Sequence, residues 1–320
     1  MKMKLLVFIL IIPLIPLHLT AQEQSAIKLN VVPLFGWING QGEEIVYRDE
    51  GSKDKLSQLL WNMDSLFYLG AGFELNWQKP ENKWGLSADA AFKYGFPSKN
   101  GLVEDRDWES YKYTDWLTRY SVHNNQTKNA VLFNANFGFE YILPDIVLKA
   151  FLAYDYMSFS WAASGGYLLY PIYEDGSEGH GYFINQKLEV GNYKQSWHII
   201  SPALSFYGTI NDYFNTEIAL KASPFIWCFA RDNHLLRSMS TTETMQWGFF
   251  IEPKLVFSFT PKYFTLSFSV LYRNISNTRG NGRYAFSDGS YADFSVKDMM
   301  GSGYSAFDIG IMVKINIGNF

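Results

Sequence analysis

Hydrophobic and polar residues alternate one for one over long stretches of this chain. Near its end Ile309, Ile311, Val313, Ile315 and Ile317 are interleaved with Gly310, Met312, Lys314, Asn316 and Gly318. Neighbours on a pleated strand point to opposite faces, so a period of two predicts a strand with one apolar face. Residues 27–37, 66–77, 85–94, 131–141, 146–160, 196–207, 216–229, 248–259 and 264–275 also read as strands. With the last strand the total is about ten, an even number of segments long enough to cross a bilayer when tilted.

The connections alternate in length. Short turns fall at 78–83, 143–145, 211–215 and 260–262, three of them marked by Pro80, Pro144 and Pro261. Between them lie long polar segments at roughly 39–57, 96–128, 161–193, 230–244 and 276–303. Short turns on one side and long loops on the other predict an all-β fold. It is a transmembrane antiparallel up-and-down β-barrel of about ten strands with long extracellular loops. The barrel has to close, because lipid cannot satisfy an open sheet edge.

The first residues add a compartment. Lys2 and Lys4 precede an apolar run at 5–17, and Leu19-Thr20-Ala21 follows with a small residue before Gln22. That layout predicts a signal peptide over 1–21 and a single outer-membrane barrel over 22–320. The run falls short of the ~20 residues of a membrane-crossing helix. Aromatic residues make up 18% of the chain and charged residues only 18%, which suits a barrel banded with Tyr, Trp and Phe. A net charge of −4 gives no sign of a nucleic-acid partner. The single cysteine, Cys228, has no internal disulfide partner and lies in an apolar, strand-like run.

Two of the polar segments carry sharper chemistry. One holds Asp105-Arg106-Asp107 and the other Asp232-Asn233-His234. Residues at i and i+2 of an extended backbone share a side, so strands running on above the membrane would turn both pairs toward the barrel mouth. His234 is the natural general base and Asp232 its orienting partner. Asp105 and Asp107 could hold a water against it, and no Ser or Cys nucleophile is then required. By spacing alone each pair also matches a solvated acidic turn or a surface histidine. Ser121-Val122-His123 invites a serine-nucleophile reading, but a Ser and a His two apart do not define a triad. The acidic and His spacing matches no strong metal motif.

In this arrangement the sequence resembles the omptin family of outer-membrane proteases. The resemblance runs in order through Glu44-Ile45-Val46-Tyr47, residues 55–61, the Val103–Trp108 segment with its Asp-x-Asp-Trp, and Ser121-Val122-His123. It continues through Ser164-Gly165-Gly166-Tyr167, Tyr193-Lys194-Gln195, Asp232-Asn233-His234 and residues 274–281. It implies a surface endopeptidase without cofactor that acts on peptides or proteins, frequently beside basic residues. Asp105 and Asp107 would form one catalytic couple and Asp232 and His234 the other. Ser121 and His123 would lie near the site. Glu44 matches one acidic residue of the family's S1 pocket, but Ala230 stands where the other is expected, which predicts weaker selection for Arg or Lys at P1. The family's lipopolysaccharide contacts also differ: Tyr156, Ser158 and Ser196 occupy positions where charged residues are expected. A glycolipid such as lipopolysaccharide is still implied as a partner in the outer membrane. The alternative is a non-catalytic barrel, an adhesin or scaffold that kept the frame.

Overall fold

A computed structural model describes residues 26–78, 82–99, 101–112, 114–172 and 178–319. The signal peptide expected at 1–21 lies outside the described residues. Among the described residues there are thirteen strand segments: β1 (Ala26–Tyr47), β2 (Lys55–Gln78), β3 (Trp84–Gly95), β4 (Leu102–Asp107), β5 (Arg119–Ile142), β6 (Ile146–Ile172) and β7 (Glu178–Thr209). They continue as β8 (Phe214–Ser223), β9 (Ile226–His234), β10 (Met239–Gln246), β11 (Phe249–Phe259), β12 (Thr265–Phe286) and β13 (Phe294–Asn319).

All pairings are antiparallel, and the segments make one barrel of ten staves. In its lower half β1, β2, β3, β5, β6, β7, β8, β11, β12 and β13 close into a ring. In its upper half β4 takes the place of β3, while β9 and β10 take the places of β8 and β11. The three interruptions have local causes. Between β3 and β4 the described residues 96–99 and 101 keep only a single bridge to the sheet, from Ser98 to Thr127. Pro224, which has no N–H to give to a ladder, separates β8 from β9. Trp247 (φ 63°) and Gly248 (φ 153°) turn the backbone between β10 and β11.

Strands such as β2 (24 residues) and β7 (32 residues) far exceed the ~9–11 residues that cross a bilayer. Large parts of the polar segments expected as loops are therefore strand. An outward apolar band, with Phe35, Phe67, Phe137, Leu204, Phe257 and Phe307 exposed, marks the lipid-facing zone. It ends outward near Phe225, Phe229, Trp247 and Phe249. Above it the outward face turns polar while the pairing continues, so the barrel projects as a mouth.

Within the band paired charges line and cross the lumen. Lys221 bonds both oxygens of Asp155 at 3.0 and 2.9 Å and approaches Glu252 at 3.3 Å, while Arg273 pairs with Glu252. Lys93 and the Tyr68 hydroxyl both donate to Asp308 at 2.6 Å. Removing one member of such a network strands the others. Arg273→Met should cost about 3–5 kcal/mol, because Lys221 alone must then balance Asp155 and Glu252. The check is the temperature at which the barrel loses its compact, heat-modifiable form on a gel. An unchanged temperature would show that the network carries no stability.

Candidate active site

The site grows out of two strand segments on different sides of the mouth. On β4, Asp105 sits opposite Leu59 of β2 and Ser121 of β5, and Asp107 sits opposite Ser57 and Arg119. On β9, Asp232 sits opposite Tyr193 of β7 and Thr241 of β10. Alternation puts Val103, Asp105 and Asp107 on one face of β4, and Cys228, Ala230, Asp232 and His234 on one face of β9. Burial follows that face: Val103, Asp107, Cys228, Ala230 and Asp232 are buried, while Phe229 and Arg231 between them are exposed. Both pairs therefore look into the mouth.

His234 Nε2 lies 2.5 Å from Asp232 Oδ2. The His234 side chain keeps 26% of its surface exposed, whereas Asp232 keeps 2%, so the imidazole is the accessible end of the pair. Burial alone would pull the imidazole pKa down. The charge and hydrogen bond of Asp232, with further help from Asp105 and Asp107, override that and push it up to about 9. Across the mouth, burial and the neighbouring Asp107 charge push the Asp105 carboxyl up to about 7, against the opposing pull of Arg119 and His234. Arg119 forms an ion pair with Asp107 and reaches Glu109 at 3.6 Å. One carboxylate of the couple is thus clamped by a guanidinium, and the other is left close to a protonation equilibrium at neutral pH.

The other expected residues fall nearby. His123 Nδ1 is 2.6 Å from the Gly165 carbonyl, to which it must donate, so Nε2 accepts from the Ser121 hydroxyl at 2.9 Å. Burial holds the His123 pKa below its ordinary value, against the Gly165 hydrogen bond. This neutral Ser–His pair stands on the strand beside Asp105, with its hydrogen bonds turned to its own wall. Glu44 on β1 is buried and feels the charges of Asp232, Glu243 and Asp105. Arg119 and Glu243 were not singled out in the sequence. Glu243 pairs across β10 and β9 with Ala230 and points inward, between the inward-facing Thr241 and Met245.

A stack of aromatic rings closes the floor. Trp61 lies 5.5 Å from Tyr193 and 6.1 Å from Trp161, and Phe159 links Trp161 (5.6 Å) to Tyr304 (5.0 Å). Gly42 makes room for it, since a Cβ there would stand 2.8 Å from the Trp161 ring. The floor separates the mouth from the charged lumen, so polar groups above it act in a partly dry basin open only outward.

Comparison with known proteins gives the following. The model of the omptin family matches residues 25–315. Among solved structures, the outer membrane protease OmpT from Escherichia coli superposes with a TM-score of 0.83 at 18% identity, over 93% of this chain and 99% of that one. The outer membrane protein OprG from Pseudomonas aeruginosa gives a TM-score of 0.35 at 13% identity, over 91% and 99% of the two chains. No curated protein matches the sequence.

Proposed function

The chain belongs to the omptin family, and from that premise we propose that it is a surface endopeptidase whose attacking water is activated by His234 and Asp232 and held by Asp105 and Asp107. Family membership makes it an outer-membrane protease with a β-barrel fold, acting on peptides or proteins. The residue roles are our reading of the geometry. Their main support is the 2.5 Å His234–Asp232 contact, facing a carboxyl couple across an open mouth.

The roles follow from proton positions. Nε2 of His234 donates to Asp232, so Nδ1 is the nitrogen that takes a proton from water. Asp232 stabilises the imidazolium that results. Asp107, clamped by Arg119, and Asp105 bind the water from the far side. Asp105, with a pKa near 7, can accept or return a proton as the tetrahedral intermediate forms and collapses. The imidazolium then supplies the proton that the leaving amine needs.

Cleavage beside basic residues belongs to the same proposal, supported by Glu44 and the other acidic groups around the site. So does contact with a glycolipid. On the outer wall the Ser158 and Ser196 hydroxyls bond at 3.0 Å, and Tyr154 bonds His198 at 2.8 Å beside Tyr156. Ser158 itself is buried, so that surface offers the partly exposed Tyr154, Tyr156 and His198 rings to a sugar headgroup instead of an ion-pair clamp.

The test is cleavage of a peptide library by the chain refolded in detergent with lipopolysaccharide, with and without a chelator. Turnover with unchanged rate in chelator is expected for a water activated by Asp and His. Turnover abolished by chelator would replace this mechanism with metal-assisted hydrolysis. A folded barrel that cleaves nothing would favour an adhesin or scaffold.

A further inference from the structure

Beneath His234 the mouth contains an acidic basin that has no counter-charge of its own. Glu44 and Glu243 are 2% and 1% exposed. Each carboxyl group lies within electrostatic range of the other. Oε2 of Glu44 and both oxygens of Glu243 are buried without a donor from any other group. Among the described residues neither has a Lys or Arg partner. Buried carboxylates of this kind need a proton or a cation.

The register explains why a carboxylate stands here. Position 230, where an acidic residue was expected, is Ala230, and its small side chain is 5% exposed on the inward face of β9. Its directly paired neighbour on β10 is Glu243, inward-facing on the same rung. Side chains on opposite members of such a pair have Cβ atoms about 4.5–5.5 Å apart, so a longer acid at 243 can fill the space an acid at 230 would occupy.

We propose that Glu243, together with Glu44, forms the cation-binding end of the P1 pocket, and that it selects substrates with Arg or Lys at P1 in place of the carboxylate absent from position 230. This rests on the protease reading of the same mouth. Burial and the nearby Asp232 charge push Glu243 up to about 8, against the pull of Glu44 and His234, so without a bound cation this carboxyl favours its proton. An entering ammonium or guanidinium replaces that proton, which leaves to solvent. Asp105 is the other acid that faces the pair, acting on Glu44. Tyr193 and Tyr284 also face the pair; burial first, and the Glu243 charge after it, raise both phenols so that they stay neutral at working pH.

The experiment compares peptides differing only at P1, Arg or Lys against citrulline or norleucine, for the wild type, Glu243→Gln, and Glu243→Ala combined with Ala230→Asp. Wild type should prefer the basic residue. Glu243→Gln should lower kcat/KM for Arg and Lys peptides by about 10- to 100-fold more than for citrulline and norleucine peptides, the worth of a charged hydrogen bond. The double variant, which moves the carboxylate back across the strand pair, should restore the preference. For wild type the Arg-to-citrulline ratio should also rise from pH 6 to 9. His234 titrates equally with both peptides and cancels from that ratio. A uniform loss on all peptides in Glu243→Gln, or no basic preference in wild type, overturns the proposal. Calorimetric binding of argininamide against citrullinamide runs in parallel and needs no turnover. Binding that Glu243→Gln abolishes supports the pocket even if no peptide is cleaved, whereas absence of binding in a cleaving enzyme overturns the pocket and spares the protease.

Discussion

Replacing His234 with Ala should lower kcat/KM by at least about 10²–10⁴-fold, the worth of a positioned general base. The barrel should stay folded, because His234 stands at the accessible end of its pair and lies outside the aromatic floor. Asp232→Asn should fall short of that loss. An amide still accepts from Nε2 and orients the ring, but it no longer offsets the charge of the imidazolium. Asp105→Asn and Asp107→Asn remove water contacts from the far wall. Asp107→Asn also frees Arg119, whose guanidinium then faces Asp105 without its partner. Effects within one catalytic unit are not additive, so a double variant lacking both His234 and Asp105 should be little worse than His234→Ala alone. The measurement is kcat/KM on one good peptide, with heat-modifiability as the control for folding. If His234→Ala cleaves as fast as wild type, the base lies elsewhere. The neutral Ser121–His123 pair, 2.9 Å apart on the next strand, would then be the first place to look.

How far these groups could be read from the chain depends on what lies on the outer face. Inside the lipid band the outward residues are apolar, so Ile315 and Ile317 or Phe257 and Phe259 advertise their strands through contrast. Above the band the outward residues are Arg231, Thr242 and Thr244, and the contrast disappears although the ladder continues through β9 and β10. Residues 230–244 thus read as a loop, and a loop has no register. Asp105 with Asp107, and Asp232 with His234, survived that loss because their spacing of two is visible within a few residues. Glu243 did not survive it: its relation to Ala230 exists only across the pairing of two strands. Thr241, Glu243 and Met245 are buried and Thr242, Thr244 and Gln246 exposed, but the residue types themselves carry no contrast that would show it. Arg119 was hidden for the same reason, being joined to Asp107 through the β4–β5 register.

The rate should climb steeply with pH through the neutral range and level off only near pH 9. A histidine with an ordinary pKa of about 6.5 would give a rate already level at pH 8. Here Asp232, Asp105 and Asp107 overcome burial and raise His234 to about 9, so at pH 7 most molecules carry the imidazolium, which cannot take a proton from water. The sign is fixed by that direction: a base with a raised pKa loses its active form as pH falls, by about tenfold per unit. From pH 9 to pH 7 the loss of neutral His234 alone should lower kcat/KM by about 50-fold, with a second inflection near 7 where Asp105 takes up its proton. The two inflections belong to the coupled set and not to single residues. Asp232→Asn provides the decisive control. Without that charge, and with burial still acting, the upper inflection should move down toward or below 6.5 even though the plateau is lower. A mutation that merely loosened the mouth would lower the plateau and leave the inflection where it was. A wild-type profile flat from pH 9 to pH 5 would remove His234 as the base, because no arrangement of three carboxylates around an imidazole leaves its proton affinity irrelevant over four pH units.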